Sequence, residues 1–271
     1  MSEPLLKVDD LRKVFPGRRG HDDVVAVDGV SFELAPGESL AIVGESGSGK
    51  TTIARMLVGL ERPTSGSIAM GGAILDVSSR RAKDRRARAR RLQMVFQDPY
   101  SSLDRLQTVE QILSDALSLA PDAVRESRAE QVRILLTSVG LHERHSRMRP
   151  GGLSGGQRQR VAIARALAVK PDVVVLDEAV AALDVSIQAQ VLNLLKEIRE
   201  TTGTAYLFIG HDLAVVNQVS DRCVVMRQGR VVEQGTTAEV LHHPQDSYTQ
   251  QLRDAVPRPG WSPTRSAEAP R

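Results

Sequence analysis

One eight-residue run constrains the fold more than any other part of the chain: Gly44-Glu45-Ser46-Gly47-Ser48-Gly49-Lys50-Thr51, which fits the pattern G-x-x-x-x-G-K-[ST]. Glycines let such a loop turn and bring several backbone N–H groups onto phosphate oxygens. The lysine adds a point charge for the β- and γ-phosphates, and the threonine hydroxyl is suited to ligate Mg²⁺. The flanks fit the role. Ser39 to Val43 reads as a buried strand and Thr51 to Leu60 as a helix, so the loop lies where a helix N-terminus can receive an anion. A nucleoside triphosphate is the implied ligand.

Two later segments narrow the class. Val173 to Leu176 is an apolar strand that delivers Asp177 and Glu178 to its carboxyl end, where open α/β sheets bind ligands. Between the two lies Leu153-Ser154-Gly155-Gly156-Gln157. Ser154 reads as the N-cap of an amphipathic helix over Gln157 to Val169, which gives a second anion-binding helix start. A simple kinase or GTPase needs only one.

With these three segments in this order, the chain resembles the ATPase subunits of ATP-binding cassette (ABC) transporters, from about Leu5 to Leu252. The resemblance implies an α/β fold: a P-loop NTPase (RecA-like) core with a mostly parallel sheet, an N-terminal antiparallel β subdomain and an inserted α-helical subdomain. It implies one ATPase domain over 1–256, with the helical insert at about 98–155 and a flexible tail over 257–271. ATP and Mg²⁺ are the implied ligands. Gly44, Glu45, Ser46, Gly47, Ser48, Gly49, Lys50, Thr51 and Thr52 would hold the nucleotide in cis, and Thr51, Gln97 and Asp177 the metal. Ser154, Gly155, Gly156 and Gln157 would close over the nucleotide of a second cassette, identical or related. Asp184 matches the D-loop residue at that seam. Glu178 matches the general base, His211 the switch histidine that contacts the γ-phosphate, and Gln97 the glutamine that senses it, with Lys50 completing the catalytic set. Phe15 stands where the family stacks an aromatic on adenine, although by residue type alone it also reads as a core aromatic.

Phosphoryl transfer asks the protein mainly for positioning and charge stabilisation. In the family, hydrolysis drives two membrane-spanning permease subunits, and a groove beside the Q-loop receives a short permease helix, here near Pro99 to Leu106. The segments Phe96–Leu103 and His243–Leu252 resemble the oligopeptide, dipeptide and nickel importer branch, which also uses an extracytoplasmic solute-binding protein. Ala179, Ala181, Gly210 and Asp104-Arg105 depart from common residues of that branch. An exporter subunit is the alternative. A cassette acting on nucleic acid would need a long coiled coil or a second cassette in the chain.

The remaining composition is compatible. No apolar run approaches the ~18–20 residues that span a bilayer, and Met1 to Pro4 opens no signal peptide, so a soluble protein attached peripherally to the cytoplasmic membrane face is expected. The single cysteine, Cys223, reads as packed in a late strand. Charge is nearly balanced, 36 Lys and Arg against 33 Asp and Glu, but Arg80 to Arg91 holds eight basic residues and one acid. Without interleaved aromatics that run reads as a solvated helix, and no specific nucleic-acid partner is expected.

Overall fold

The computed structural model of the chain describes residues 3–17, 22–98, 102–120 and 127–255. Its centre is a six-stranded sheet in the order β10-β9-β3-β8-β7-β6. The strands are β3 (Ser39–Val43), β6 (Leu92–Val95), β7 (Val173–Asp177), β8 (Ala205–Gly210), β9 (Arg222–Arg227) and β10 (Arg230–Thr236). All neighbours are parallel except β9 and β10, which form an antiparallel pair at one edge. β3 and β7 are the strands expected above, and β6 and β8 extend the parallel set. β9, which carries the fully buried Cys223, adds a fifth.

Strands covered on both faces need unbroken apolar runs, and β3 shows why. Ala41 and Val43 face a core shared with helical residues from Val109 onward, whereas Leu40 and Ile42 face a second core shared with the other sheet and with Ile53 to Leu57. That second sheet has the order β2-β1-β4-β5 and is antiparallel throughout: β1 (Leu6–Phe15), β2 (Val24–Leu34), β4 (Ser65–Met70) and β5 (Ala73–Ile74). β4 and β5 form a hairpin that turns at Gly71 and Gly72, both at positive φ. Of the expected β1–β2 tip, residues 18–21 lie outside the described residues. Beside them, the Gly17 N–H donates to Asp23 Oδ1 at 2.9 Å.

Helix α1 (Lys50–Leu57) follows β3 and ends three residues earlier than expected, where Gly59 at φ 73° turns the chain. Helix α2 is Ala82–Arg91. Then come α3 (Val109–Leu117), α4 (Arg128–Ser138), two short 3-10 turns and α5 (Gly155–Leu167), which pack on one another through Ile112, Leu113, Val132, Leu136 and Val161. Residues 121–126, before α4, lie outside the described residues. The chain closes with α6 (Val185–Thr202), α7 (Leu213–Val219), α8 (Thr237–His242) and α9 (Ser247–Asp254). The expected tail, 257–271, lies outside the described residues. No helix among the described residues is long and apolar enough to cross a membrane.

The run Arg80 to Arg91 is largely an exposed helix, as expected, but its last turn departs from a purely solvated face. Arg88 is only 6% exposed, and its guanidinium donates to the carbonyls of Val58 at 3.1 Å and Asp76 at 3.2 Å. Burial lowers its affinity for the proton, partly offset by Asp76 and Asp84. Arg90 donates to the Leu119 carbonyl, and Arg91 pairs with Asp172 at 2.7 Å and donates to the Met70 carbonyl. These arginines tie α2 to α1, to α3 and to both sheets, a role that charge counting could not separate from solvation. Replacing Arg88 by Ala strands two carbonyls and is expected to cost about 1–3 kcal/mol. Arg86→Gln on the exposed face should stay within ~0.5 kcal/mol. Urea titration of both variants would check the contrast, which equal midpoints would refute.

Candidate active site

Strand register assembles the site. Val43 pairs with Gly210 and Asp177 with Ile209, so the carboxyl ends of β3, β7 and β8 lie side by side. The loop 44–49, the pair Asp177-Glu178 and His211 therefore leave the sheet at one edge. Gln97 joins them from the end of β6, which pairs with β7.

The loop 44–49 wraps around the Lys50 ammonium. Nζ donates to the carbonyls of Gly44 and Glu45, each at 2.7 Å, and to Ser48 Oγ at 3.2 Å. Lys50 is 5% exposed, and burial lowers its pKa against the pull of Glu178, Asp177 and Glu45. Two glycines are required by close approach. A Cβ on Gly44 would stand 2.2 Å from the Met226 carbonyl oxygen, and one on Gly49, at φ 101°, 2.3 Å from that of Ala26. At Gly47 a Cβ would meet nothing within 4 Å, so the outer rim of the cradle is open space that an anion can fill. Thr52 sits one residue beyond Thr51 in the first turn of α1.

Asp177 is buried at 5% exposure and accepts from Thr51 Oγ1 at 3.2 Å. Burial raises its pKa and the neighbouring Glu178 adds to this, while Thr51, Arg55 and Lys50 oppose. Glu178 adopts φ 47°, a left-handed conformation that costs a branched or long side chain energy and is stored most often at functional sites. Its N–H donates to the Ile209 carbonyl at 2.8 Å, which fixes the turn. Gln97 Nε2 donates to Glu178 Oε2 at 2.7 Å, and His211 Nδ1 lies 3.4 Å from Oε1. Thr51, Asp177 and the Gln97 amide oxygen form a set of hard oxygen donors, the chemistry that suits Mg²⁺.

The segment 154–157 lies elsewhere. Ser154 caps α5 in a reciprocal box: its Oγ accepts from the Gln157 N–H at 3.3 Å, and the Ser154 N–H donates to Gln157 Oε1 at 2.9 Å. The serine hydroxyl proton remains a donor. Ser154 and Gly155 are exposed, Gly155 faces Leu183, and a Cβ on Gly156 would stand 2.5 Å from Ile187 Cγ2. Asp184 begins α6 nearby, accepting from the Ile187 N–H at 3.0 Å and from Ser186 Oγ at 2.8 Å, which lower its pKa. Phe15 pairs with Val24, two residues from the Ala26 carbonyl that backs Gly49, and Lys13 Nζ lies 4.6 Å from its ring centroid.

A family model described as "ABC transporter" matches residues 27–181, more than half the chain. The chain belongs to the ABC transporter family. Within it, the dipeptide transport ATP-binding protein of Escherichia coli is 43% identical over 262 residues, covering 95% of this chain and 78% of that protein. The oligopeptide transport ATP-binding protein of Bacillus subtilis is 43% identical over 261 residues, covering 96% and 84%. A solved dimeric ATP-binding cassette in a post-hydrolysis state, bound to ADP and Pi, superposes with a TM-score of 0.76 at 27% identity, covering 86% of this chain and 98% of that one. A Clostridium perfringens subunit of an ABC transporter complex also gives 0.76, at 30% identity, over 89% and 92%. The chain is an ABC ATPase that binds ATP.

Sequence reasoning missed four groups around this ATPase site. The Met226 carbonyl and the Gly229 N–H, which donates to the Ser48 carbonyl at 3.1 Å, back the cradle, and Tyr248 bonds Glu45. Arg165 of α5 donates to the Ser102 carbonyl in the segment after Gln97. Nothing in the spacing of those residues announces contact with positions up to 203 residues away.

The raised pKa of Asp177 carries a sign that can be tested. Its folded value lies above the unfolded one, so ionisation destabilises the nucleotide-free fold as pH rises through that window, and the penalty vanishes below the unfolded value. Asp177→Asn is therefore expected to raise the melting temperature by a few degrees at pH 7 and to lose the gain as pH falls toward 4. A gain that persisted or grew in acid would contradict burial as the dominant cause.

Proposed function

We propose that this ABC ATPase energises import of oligopeptides or dipeptides, working as one of two cassettes on the cytoplasmic face of a permease pair. The observation that carries the chemistry is the convergence of Lys50, Thr51, Asp177, Glu178, Gln97 and His211 at one sheet edge. The substrate class is carried by the names of relatives sharing 42–46% identity, all peptide transport subunits in the first six comparisons.

In this reading the amides of Gly47 to Thr51, with Thr52, hold the nucleotide phosphates, and Lys50 turns its ammonium from the loop carbonyls toward them. Thr51, Asp177 and Gln97 hold Mg²⁺, which when bound neutralises charge on the phosphates. Glu178 takes a proton from the attacking water. Gln97 and His211 each lie against one of its carboxylate oxygens, which orients the base, and His211 reaches the γ-phosphate. Phe15 supports the adenine. Ser154, whose hydroxyl proton and helix N-terminus face outward, acts with Gly155, Gly156 and Gln157 on the nucleotide of a second cassette, with Asp184 at the seam. Among the described residues the contacts of 154–157 run to Leu183 and Ile187 and not to the Lys50 cradle, which supports that arrangement.

Coupling to the permease uses a groove of about 670 Å³ between α1, α2, β6, α3 and α5, lined by Leu60, Arg85, Phe96, Ser102, Asp104 and Arg165 among others. Leu106, 78% exposed, lies on the same loop as Ser102 and Asp104 and offers an apolar contact. Pro99, Tyr100 and Ser101 of the expected coupling segment lie outside the described residues. We assign the helical segment 98–155 as the part that moves with the permease.

Glu178→Gln is expected to keep ATP binding and lower turnover ~10²–10⁴-fold, the usual contribution of a positioned base. Near wild-type turnover in the assembled transporter would remove Glu178 from that role. Lys50→Ala should abolish ATP binding to the isolated chain, whereas Ser154→Arg should leave it intact and block ATPase activity in the assembled pair. Equal loss of affinity in both variants, titrated on monomer, would refute the division into cis and trans sites. Co-purification with a solute-binding protein separates import from export.

A further inference from the structure

The segment that carries the likeness to peptide importers at the C-terminal end, His243 to Leu252, places one buried aromatic against the phosphate cradle. Tyr248, 3% exposed, is the second residue of α9, and its hydroxyl accepts from the Glu45 N–H at 3.0 Å. The ring lies 4.8 Å from the Arg227 guanidinium at the end of β9. The start of α9 is fixed as well. Asp246 Oδ1 accepts the Tyr248 N–H at 2.7 Å, and the Glu233 carboxylate of β10 accepts the N–H groups of Gln245 at 2.8 Å and Asp246 at 3.2 Å.

The Glu45 N–H and the Gly44 carbonyl belong to one peptide unit, which is planar and trans, so they point in opposite directions. Tyr248 holds the N–H side. Lys50 Nζ holds the carbonyl side, at 2.7 Å. The orientation of that plane thus sets where one of the three oxygens around the Lys50 ammonium stands. Gly44, which lacks a Cβ and sits at φ 153°, does little by itself to stop the plane from turning. The Met226 carbonyl behind Gly44 blocks one direction, and the Gly229 N–H holds Ser48. The Tyr248 hydroxyl is the side-chain member of this back wall.

We infer that Tyr248 is a positioning residue for ATP binding: its hydroxyl fixes the Gly44–Glu45 peptide, and through it the approach of Lys50 to the phosphates. The C-terminal helix is thereby part of the nucleotide site without touching nucleotide. The inference rests on the assignment of 44–51 as the phosphate cradle.

Tyr248→Phe keeps the ring on Arg227 and removes only the acceptor. It is expected to raise the ATP dissociation constant of the isolated chain and the KM of the assembled ATPase by ~3–10-fold, the range for one lost hydrogen bond. The kcat at saturating ATP should fall less than twofold, and amide exchange at Glu45 should accelerate. Unchanged ATP affinity and KM would overturn the inference, whether or not the melting temperature or Glu45 exchange shifts, since the contact would then be structural only. Lys50→Ala run in parallel separates the two levels. If that variant binds ATP normally the cradle assignment itself fails, whereas loss of binding there with normal affinity in Tyr248→Phe sinks the clamp alone.

Discussion

A buried ammonium is the constraint around which the rest is arranged. Lys50 sits inside the fold with two carbonyls and a hydroxyl for company, and burial depresses its pKa despite three nearby carboxylates. Neutral oxygens are weaker partners for a cation than phosphate, so the arrangement is tolerated and not optimal, and an incoming triphosphate improves it. Asp177 is the complementary case, a carboxylate whose pKa is raised by burial and by Glu178. Burial disfavours the charged form of both groups. Stability given up at the site is what a charged ligand can restore.

Holding such groups requires a rigid sheet, and β3 supplies it. It is central, parallel to both neighbours and apolar on both faces, so a one-residue slip would move Ala41 and Val43 out of one core and Leu40 and Ile42 out of the other. Register is therefore pinned twice. The same pinning sets Gly44 against the Met226 carbonyl and brings the ends of β7 and β8 level with the cradle.

The elements that local chemistry specifies were legible. Ser154 and Gln157 have the S-x-x-Q spacing of a capping box and form one, and the run Val173 to Leu176 became a strand ending at Asp177. The family, the mostly parallel α/β fold and ATPase activity followed from motif order. Less legible was anything decided by partners distant in sequence. Arg88 looked like its exposed neighbours, and only the fold reveals that it satisfies carbonyls at Val58 and Asp76. Helix ends drifted for a similar reason. Gly59 stops α1 because its φ of 73° and the Arg88 guanidinium beside it leave no room for another turn. Tyr248 carried no local signal of contact with residue 45.

Two bonds join parts that transport must move together. Gln97 donates to Glu178, which links the end of β6 to the proposed base, and Arg165 of α5 donates to the Ser102 carbonyl five residues beyond Gln97. Burial lowers the pKa of Arg165, and its bond to the Ser102 carbonyl offsets part of that desolvation. The residues on either side of the groove are thus held by opposite ends of one mechanism: one bond reaches the carboxylate beside the cradle, the other the helix that starts at Ser154. In the proposed coupling, a permease segment that shifts Ser102 relative to Gln97 would load at least one of these bonds. Displacement toward α5 would pull on Glu178 and displacement toward β7 on the helix that starts at Ser154, so hydrolysis at one nucleotide and closure over the other would be sensitive to the same movement.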